Sequence, residues 1–267
     1  MTAPLPDHRA ITTDPNAAFR EAEARLFAAF DGLELDRSMF RTPTVSDEDL
    51  DALARPVADL PADLVGRYVL KAGTTWGGPD DLRRVAPRAL QLAAAQQLPI
   101  DRGLLWAKLR WAGWSTWPSP QSSAVGTFVR CEWARLVRAA PRPAHVAHRW
   151  LRHAANGVDD LSPYLDDWHD ALASEHPPAH HRAATGHLVL LLCNSPLRPD
   201  FPATLEDLFP GQDAATAAVQ AWLADPRTLR DLERASALLA DTSDARRVRT
   251  AVERLHRYRA RVRTLTT

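Results

Sequence analysis

Lysine is nearly missing from this 267-residue chain: Lys71 and Lys108 are the only two, and arginine carries the rest of the positive charge. Together with abundant Ala and Pro, this is the composition of a GC-rich bacterial genome, and arginine density by itself then says little about chemistry. Net charge is missing too, because 33 basic side chains stand against 33 acidic ones. No global field draws the chain to a polyanion or a membrane surface. The cysteines number 2, Cys131 and Cys193, far apart within apolar runs. They exclude a disulfide framework and predict buried free thiols in a reducing, cytoplasmic setting. The longest apolar run, Leu188 to Cys193, is far too short to span a bilayer, and the opening MTAPLPDHRAITTDP has no basic region leading into an apolar stretch. Period-2 alternation is absent and β-branched clusters are scarce, which removes strands. No glycine-rich phosphate loop, Gly-x-Ser-x-Gly elbow, dinucleotide fingerprint, His-Glu-x-x-His or paired-cysteine motif occurs, so no cofactor is expected.

What is present is a succession of helix signals, and a hydrophobic content of 45% suffices for a sizeable core without metal or disulfide. Asp14 followed by Pro15 opens a helix through Phe19, Ala22, Leu26 and Phe30. Ser46 with acids behind it opens a second, through Leu50 and Leu53. Pro61 opens a third through Leu64, Tyr68 and Val69. The breaker Gly77-Gly78-Pro79 starts a fourth through Leu82, Val85, Leu90 and Leu92, with a kink or short break expected at Pro87. A fifth spans Asp101 to Ala112, and the turn Trp117-Pro118-Ser119-Pro120 leads into a long helix through Val125, Phe128, Trp133 and Leu136. Further helices are read over 144–155, 161–173, 178–193, 212–223, 226–240 and 244–264. The spacing predicts an all-α fold of stacked antiparallel hairpins, an irregular HEAT-like α-solenoid or an irregular helical bundle. It also predicts a flexible N-terminus over 1–13, a main helical domain over 14–195, a Pro-rich connector over 196–210 with one turn around Leu205, and C-terminal helices over 211–267 on the same stack.

The densest local feature is a tryptophan series, Trp76, Trp106, Trp111, Trp114 and Trp117, with Trp133 one helix on. Such residues either pack as core or form a rim for binding a base, sugar or peptide. The stretches TTWGGPDDLRRVAPRAL (Thr74 to Leu90) and KLRWAGWSTWP (Lys108 to Pro118) carry a Trp-Gly turn, a Pro-Arg pair within a helix and a Trp-x-x-Trp-Pro turn. In these features, Leu60 to Leu136 resembles an uncharacterised group of bacterial all-helical proteins. The resemblance implies a helical fold and transfers no activity; Ser119, Pro120 and Gln121 stand where that group has acidic residues. The candidate binding residues are Trp76, Trp111, Trp114 and Trp117, with Arg88 of the Pro-Arg pair.

Histidines concentrate between 145 and 187. His145 and His148 at i, i+3, and His176 and His180 at i, i+4, have spacings that share a helix face, although Pro177 and Pro178 intervene in the second pair. A sharper pattern is the order found in HD-type metal-dependent phosphohydrolases: an upstream His145 or His148, the pair His169-Asp170, then Asp225 or Asp231. The candidate metal ligands are accordingly His145, His169 and Asp170. The last predicted helix holds Arg246, Arg247, Arg249, Arg254, Arg257, Arg259, Arg261 and Arg263 beside an apolar stripe of Val248, Ala251, Val252, Leu255, Tyr258 and Val262. The stripe packs and the arginines are left to solvent or to phosphates. The function expected from all this is a non-enzymatic helical scaffold that binds another protein. The alternatives are an HD-like phosphohydrolase and a HEAT-like nucleic-acid binder using Arg246, Arg249, Arg257 and Arg261.

Overall fold

The fold is all-α: twelve α-helices and two short 3-10 turns account for the regular structure of the described residues, which pair in strand fashion only at isolated bridges. The structure is a computed structural model that describes residues 14–143, 145–174, 178–193, 209–239 and 244–265. The expected N-terminal tail, most of the Pro-rich connector with its turn at Leu205, His176 and the Arg263 side chain lie outside the described residues. By internal contacts the chain forms two compact units. One holds the residues up to Glu132 with Asn156–Val158, and the other holds Trp133–Ala155 with Asp159 onward.

The first unit contains α1 (Pro15–Ala29), α2 (Asp47–Leu53), α3 (Ala62–Lys71), α4 (Pro79–Ala94), α5 (Arg102–Trp111) and the start of α6 (Ser119–Arg138). The starts follow local chemistry. The Asp14 carboxylate accepts from the Asn16 and Ala17 amides with Pro15 behind it, Ser46 closes a reciprocal box with Asp49, and Asp101 accepts from the Gly103 and Leu104 amides. Helix α4 is the hub, packed on α1, α3, α5 and the 3-10 turn Val57–Asp59. It runs unbroken through Pro87, which corrects the expected break. A mid-helix proline costs about 3 kcal/mol; here both flanks are tied down. Arg84 donates to the carbonyls of Leu33, Leu53, Ala54 and Arg55, Arg88 Nε donates to Leu60 O at 3.0 Å, and Leu82, Val85, Ala86, Ala89 and Leu90 are all buried.

The second unit takes up the end of α6 and then α7 (Ala147–Ala154), α8 (Ser162–Ala173), α9 (Pro178–Cys193), α10 (Asp213–Ala224), α11 (Pro226–Leu238) and α12 (Ala245–Leu265). Helix α9 is its centre and packs on α7, α8, α11 and α12, as the near-continuous apolar composition of Leu188–Cys193 requires. The core beside it is aromatic. Trp133 lies 4.9 Å from Trp150 and 5.7 Å from Trp168, and Trp168 stacks on Trp222 at 4.9 Å. The indole N–H groups of Trp133 and Trp168 donate to Tyr164 O and Ala184 O. Neither cysteine is in a disulfide: Cys131 is buried, whereas Cys193, expected buried, is half-exposed at the end of α9.

His187 of α9 ties the end of α6 to the start of α7. Its Nδ1 accepts from the Ala147 amide at 3.3 Å, so the proton sits on Nε2, which donates to Leu136 O and Ala139 O at 3.0 Å each. Burial foremost pushes its pKa from 6.5 down to about 4. Protonation would turn the Nδ1 acceptor into a donor facing a donor. The unfolded chain takes up this proton first, so His187 supports the fold fully above about pH 6.5 and loses that support as pH falls toward 4. Urea titrations are expected to show stability falling from pH 7 to 5, with a shallower fall in His187→Gln, whose amide retains one donor and one acceptor and cannot titrate.

Candidate functional site

The segment joining α6 to α7 is short and constrained. Arg142 and His145 exchange backbone hydrogen bonds, and Pro141 lies so close to Gly186 of α9 that a Cβ there would sit 3.2 Å from the proline ring. Between this segment, α7, α9 and the start of α12 lies a cavity of about 770 Å³ within the second unit. That is the size of a small-molecule site, typically ~300–1,000 Å³. Five arginines border it: Arg138 at the end of α6, Arg142, Arg149 on α7, Arg182 on α9 and Arg247 on α12. The only carboxylate among its described lining residues is Asp244. Arg142, Arg149, Arg182 and Arg247 are exposed at the mouth, whereas Arg138 is 6% exposed.

Arg138 differs from Arg84, the other buried arginine among the described residues. Arg84 spends its guanidinium on four carbonyls, but Arg138 donates from Nη1 to Ala134 O at 3.2 Å, one turn back in its own helix. Burial lowers its pKa, and Asp167 and Asp170 draw it back from beyond ion-pair distance. Among the described residues none of the five cavity arginines is in an ion pair. Two lining residues each carry a buried polar atom with no partner among the described residues: Thr185 Oγ1, on a residue 1% exposed, and His148 Nδ1, on a residue 9% exposed. Burial foremost, with Arg149, His187 and Arg152, pushes the His148 pKa down to about 4, so the ring is neutral at pH 7 and able to donate or accept one hydrogen bond. Val146, Val189, Leu190, Leu239 and Val248 are among the apolar walls, and no Phe, Tyr or Trp is among the described lining. The arrangement is suited to holding an anion by charge and hydrogen bonding.

The residues singled out from sequence lie elsewhere. Trp76 is fully buried against Tyr68 at 5.2 Å. Trp117 is buried with its indole N–H on Ala112 O. Trp114 is half-buried and donates to Gly157 O at 2.8 Å. Only Trp111, 46% exposed, presents a ring to solvent, so the four do not make one rim. Arg88 is held by Leu60 O and Gln91 and serves the fold.

The metal candidates are not brought together either, and among the described residues no three His, Cys, Asp or Glu side chains are grouped to hold an ion. His169 is buried, 5.1 Å from the Trp222 ring. Its Nε2 donates to Thr228 Oγ1 at 2.7 Å, the Thr228 hydroxyl being committed to Trp222 O. Asp170 is exposed and His145 belongs to the α6–α7 segment. On α12, Arg254 caps the carbonyls ending α9 and Arg259 caps Ala224 at the end of α10, leaving Arg246, Arg249, Arg257 and Arg261 exposed. Sequence reasoning passed over Arg138, Arg142, Arg149, Arg182 and Thr185; the run Arg138 to Arg152, basic without a single acid, was the available signal. No protein-family model, curated protein or solved structure gives a significant match to the chain.

A buried guanidinium without a carboxylate is costly to the empty protein. Arg138→Met, which keeps length and removes charge, is expected to stabilise the ligand-free chain by ~1–2 kcal/mol, read as a higher urea midpoint at unchanged slope; a lower midpoint would mean that Arg138 supports the fold as Arg84 does.

Proposed function

We propose that the protein is a helical binding protein whose second unit holds an anionic ligand in the arginine-bordered cavity. The observation that carries this reading is Arg138, a buried charge beside a cavity with no ion-pair partner among the described residues. An isolated buried charge costs several kcal/mol unless something pairs with it, and a ligand anion is the partner the cavity admits. The exposed arginines contribute little each, but together they raise the local concentration of anions and speed their capture. Cys131 and Cys193, neither of them in a disulfide, support a cytoplasmic setting. In low-salt buffer, a panel of pyrophosphate, sulfate and short-chain organic anions is expected to raise the thermal midpoint of the full chain, by less as salt is added. Arg138→Met is expected to lose at least ~10-fold in apparent affinity. A panel that shifts wild type and Arg138→Met equally, or neither, overturns the reading.

A second reading, docking of another protein, is favoured by the surface of the first unit. Phe40, 64% exposed, and the exposed Trp111 bracket the turn Gly73–Gly77: Gly77 N donates to Phe40 O at 2.7 Å, and the Trp111 ring lies over Gly73. Lys108 donates to Ala72 O beneath that ring. A photo-crosslinking residue at Phe40 or Trp111, but not at exposed Arg20, is expected to give an adduct of one defined mass in cells; equal labelling from all three positions counts against a docking face.

A further inference from the structure

We infer that the ligand of the cavity is a phosphate ester carried on an aliphatic body. This rests on the anion-binding reading above and adds the chemical class. The lining includes three buried polar residues: Arg138, whose guanidinium has no ion-pair partner among the described residues, and Thr185 and His148, whose Oγ1 and Nδ1 have no hydrogen-bond partner there. A carboxylate has two oxygens and one charge, and one arginine matches it. A phosphoryl group has three peripheral oxygens and up to two charges near neutral pH, which suits a cavity bordered by several arginines. The four exposed arginines against the single Asp244 extend the same preference to a diphosphate.

The rest of the cavity excludes inorganic phosphate as the fitting occupant, because about 770 Å³ is several times what such an ion fills. The walls define the body. Val146, Val189, Leu239 and Val248 are buried in the lining, which among the described residues holds no Phe, Tyr or Trp. Aliphatic walls with an arginine-rich border suit an alkyl or prenyl chain bearing a phosphate or diphosphate. Two sources share that chemistry, a soluble ester and the headgroup region of an anionic lipid.

The test uses the full chain and isothermal titration with three probes: hexyl phosphate, hexanoate and inorganic phosphate. Hexyl phosphate is expected to bind at least ~10-fold more tightly than either of the others. Arg138→Met is expected to lose at least ~10-fold of that affinity, and Thr185→Val ~3–10-fold. Should Arg138→Met not fold, the double variant Arg149→Gln/Arg182→Gln, on exposed positions, takes its place with an expected loss of ~3–10-fold at low salt. Equal affinity for hexanoate overturns the phosphate class, and equal affinity for inorganic phosphate overturns the aliphatic body; in both cases the anion-binding reading stands. Failure of all three probes overturns that reading as well. Co-sedimentation with phosphatidic acid vesicles, reversed by hexyl phosphate, assigns the lipid as the source; hexyl phosphate binding without vesicle binding assigns a soluble ester.

Discussion

A guanidinium withdrawn from water has to find acceptors, and in this lysine-poor chain the exposed carbonyls at helix ends supply them. Each helix leaves its last carbonyls unpaired and carries the negative end of its dipole there. Arg84 closes the end of α2, Arg254 the end of α9 and Arg259 the end of α10, while Lys108 does the same for α3. These bonds join residues 31 to 62 positions apart in the chain and set the packing of one helix against the next. Arginine density that sequence composition renders uninformative is thus a working part of the architecture.

Against that pattern Arg138 stands apart. It ends α6, where a basic residue belongs, yet the carbonyls there are already served: Leu136 and Ala139 are both held by His187. The imidazole does the capping, and the guanidinium is left beside the cavity. The same histidine fixes the start of α7, which carries His148 and Arg149. One neutral ring therefore holds two edges of the site, and the site inherits the acid sensitivity of that ring.

Aromatic packing explains where the other sequence signals went. Tryptophan gains most from burial when its N–H finds a partner, and backbone carbonyls provide one for Trp114, Trp117, Trp133 and Trp168. His169 follows the same logic with Thr228. Trp114, Trp117 and His169 each found an acceptor in the surrounding structure, whereas Trp76 is buried with no partner for its indole N–H among the described residues. Trp111 escaped because Gly73, having no side chain, lets its ring lie flat at the surface.

Most of the helix boundaries were legible in the sequence because they rest on contacts within one turn: Asp14 before Pro15, Ser46 with Asp49, Asp101 before Gly103, Asp225 before Pro226. Periodicity likewise marked the buried stripes of α4 and α12, and the lack of alternation ruled out sheets. The continuity of α4 through Pro87 was not legible, since the contacts that tie down its flanks reach carbonyls 28 to 51 residues away. Nor was the cavity. Its arginines come from α6, a loop, α7, α9 and α12, and whether an arginine caps a helix or borders a cavity depends on which carbonyls its neighbours have already taken. The sequence by itself determined the helices and their apolar faces, because those are local properties; only the tertiary structure decided which charged side chains were left unpaired, because pairing is settled between elements.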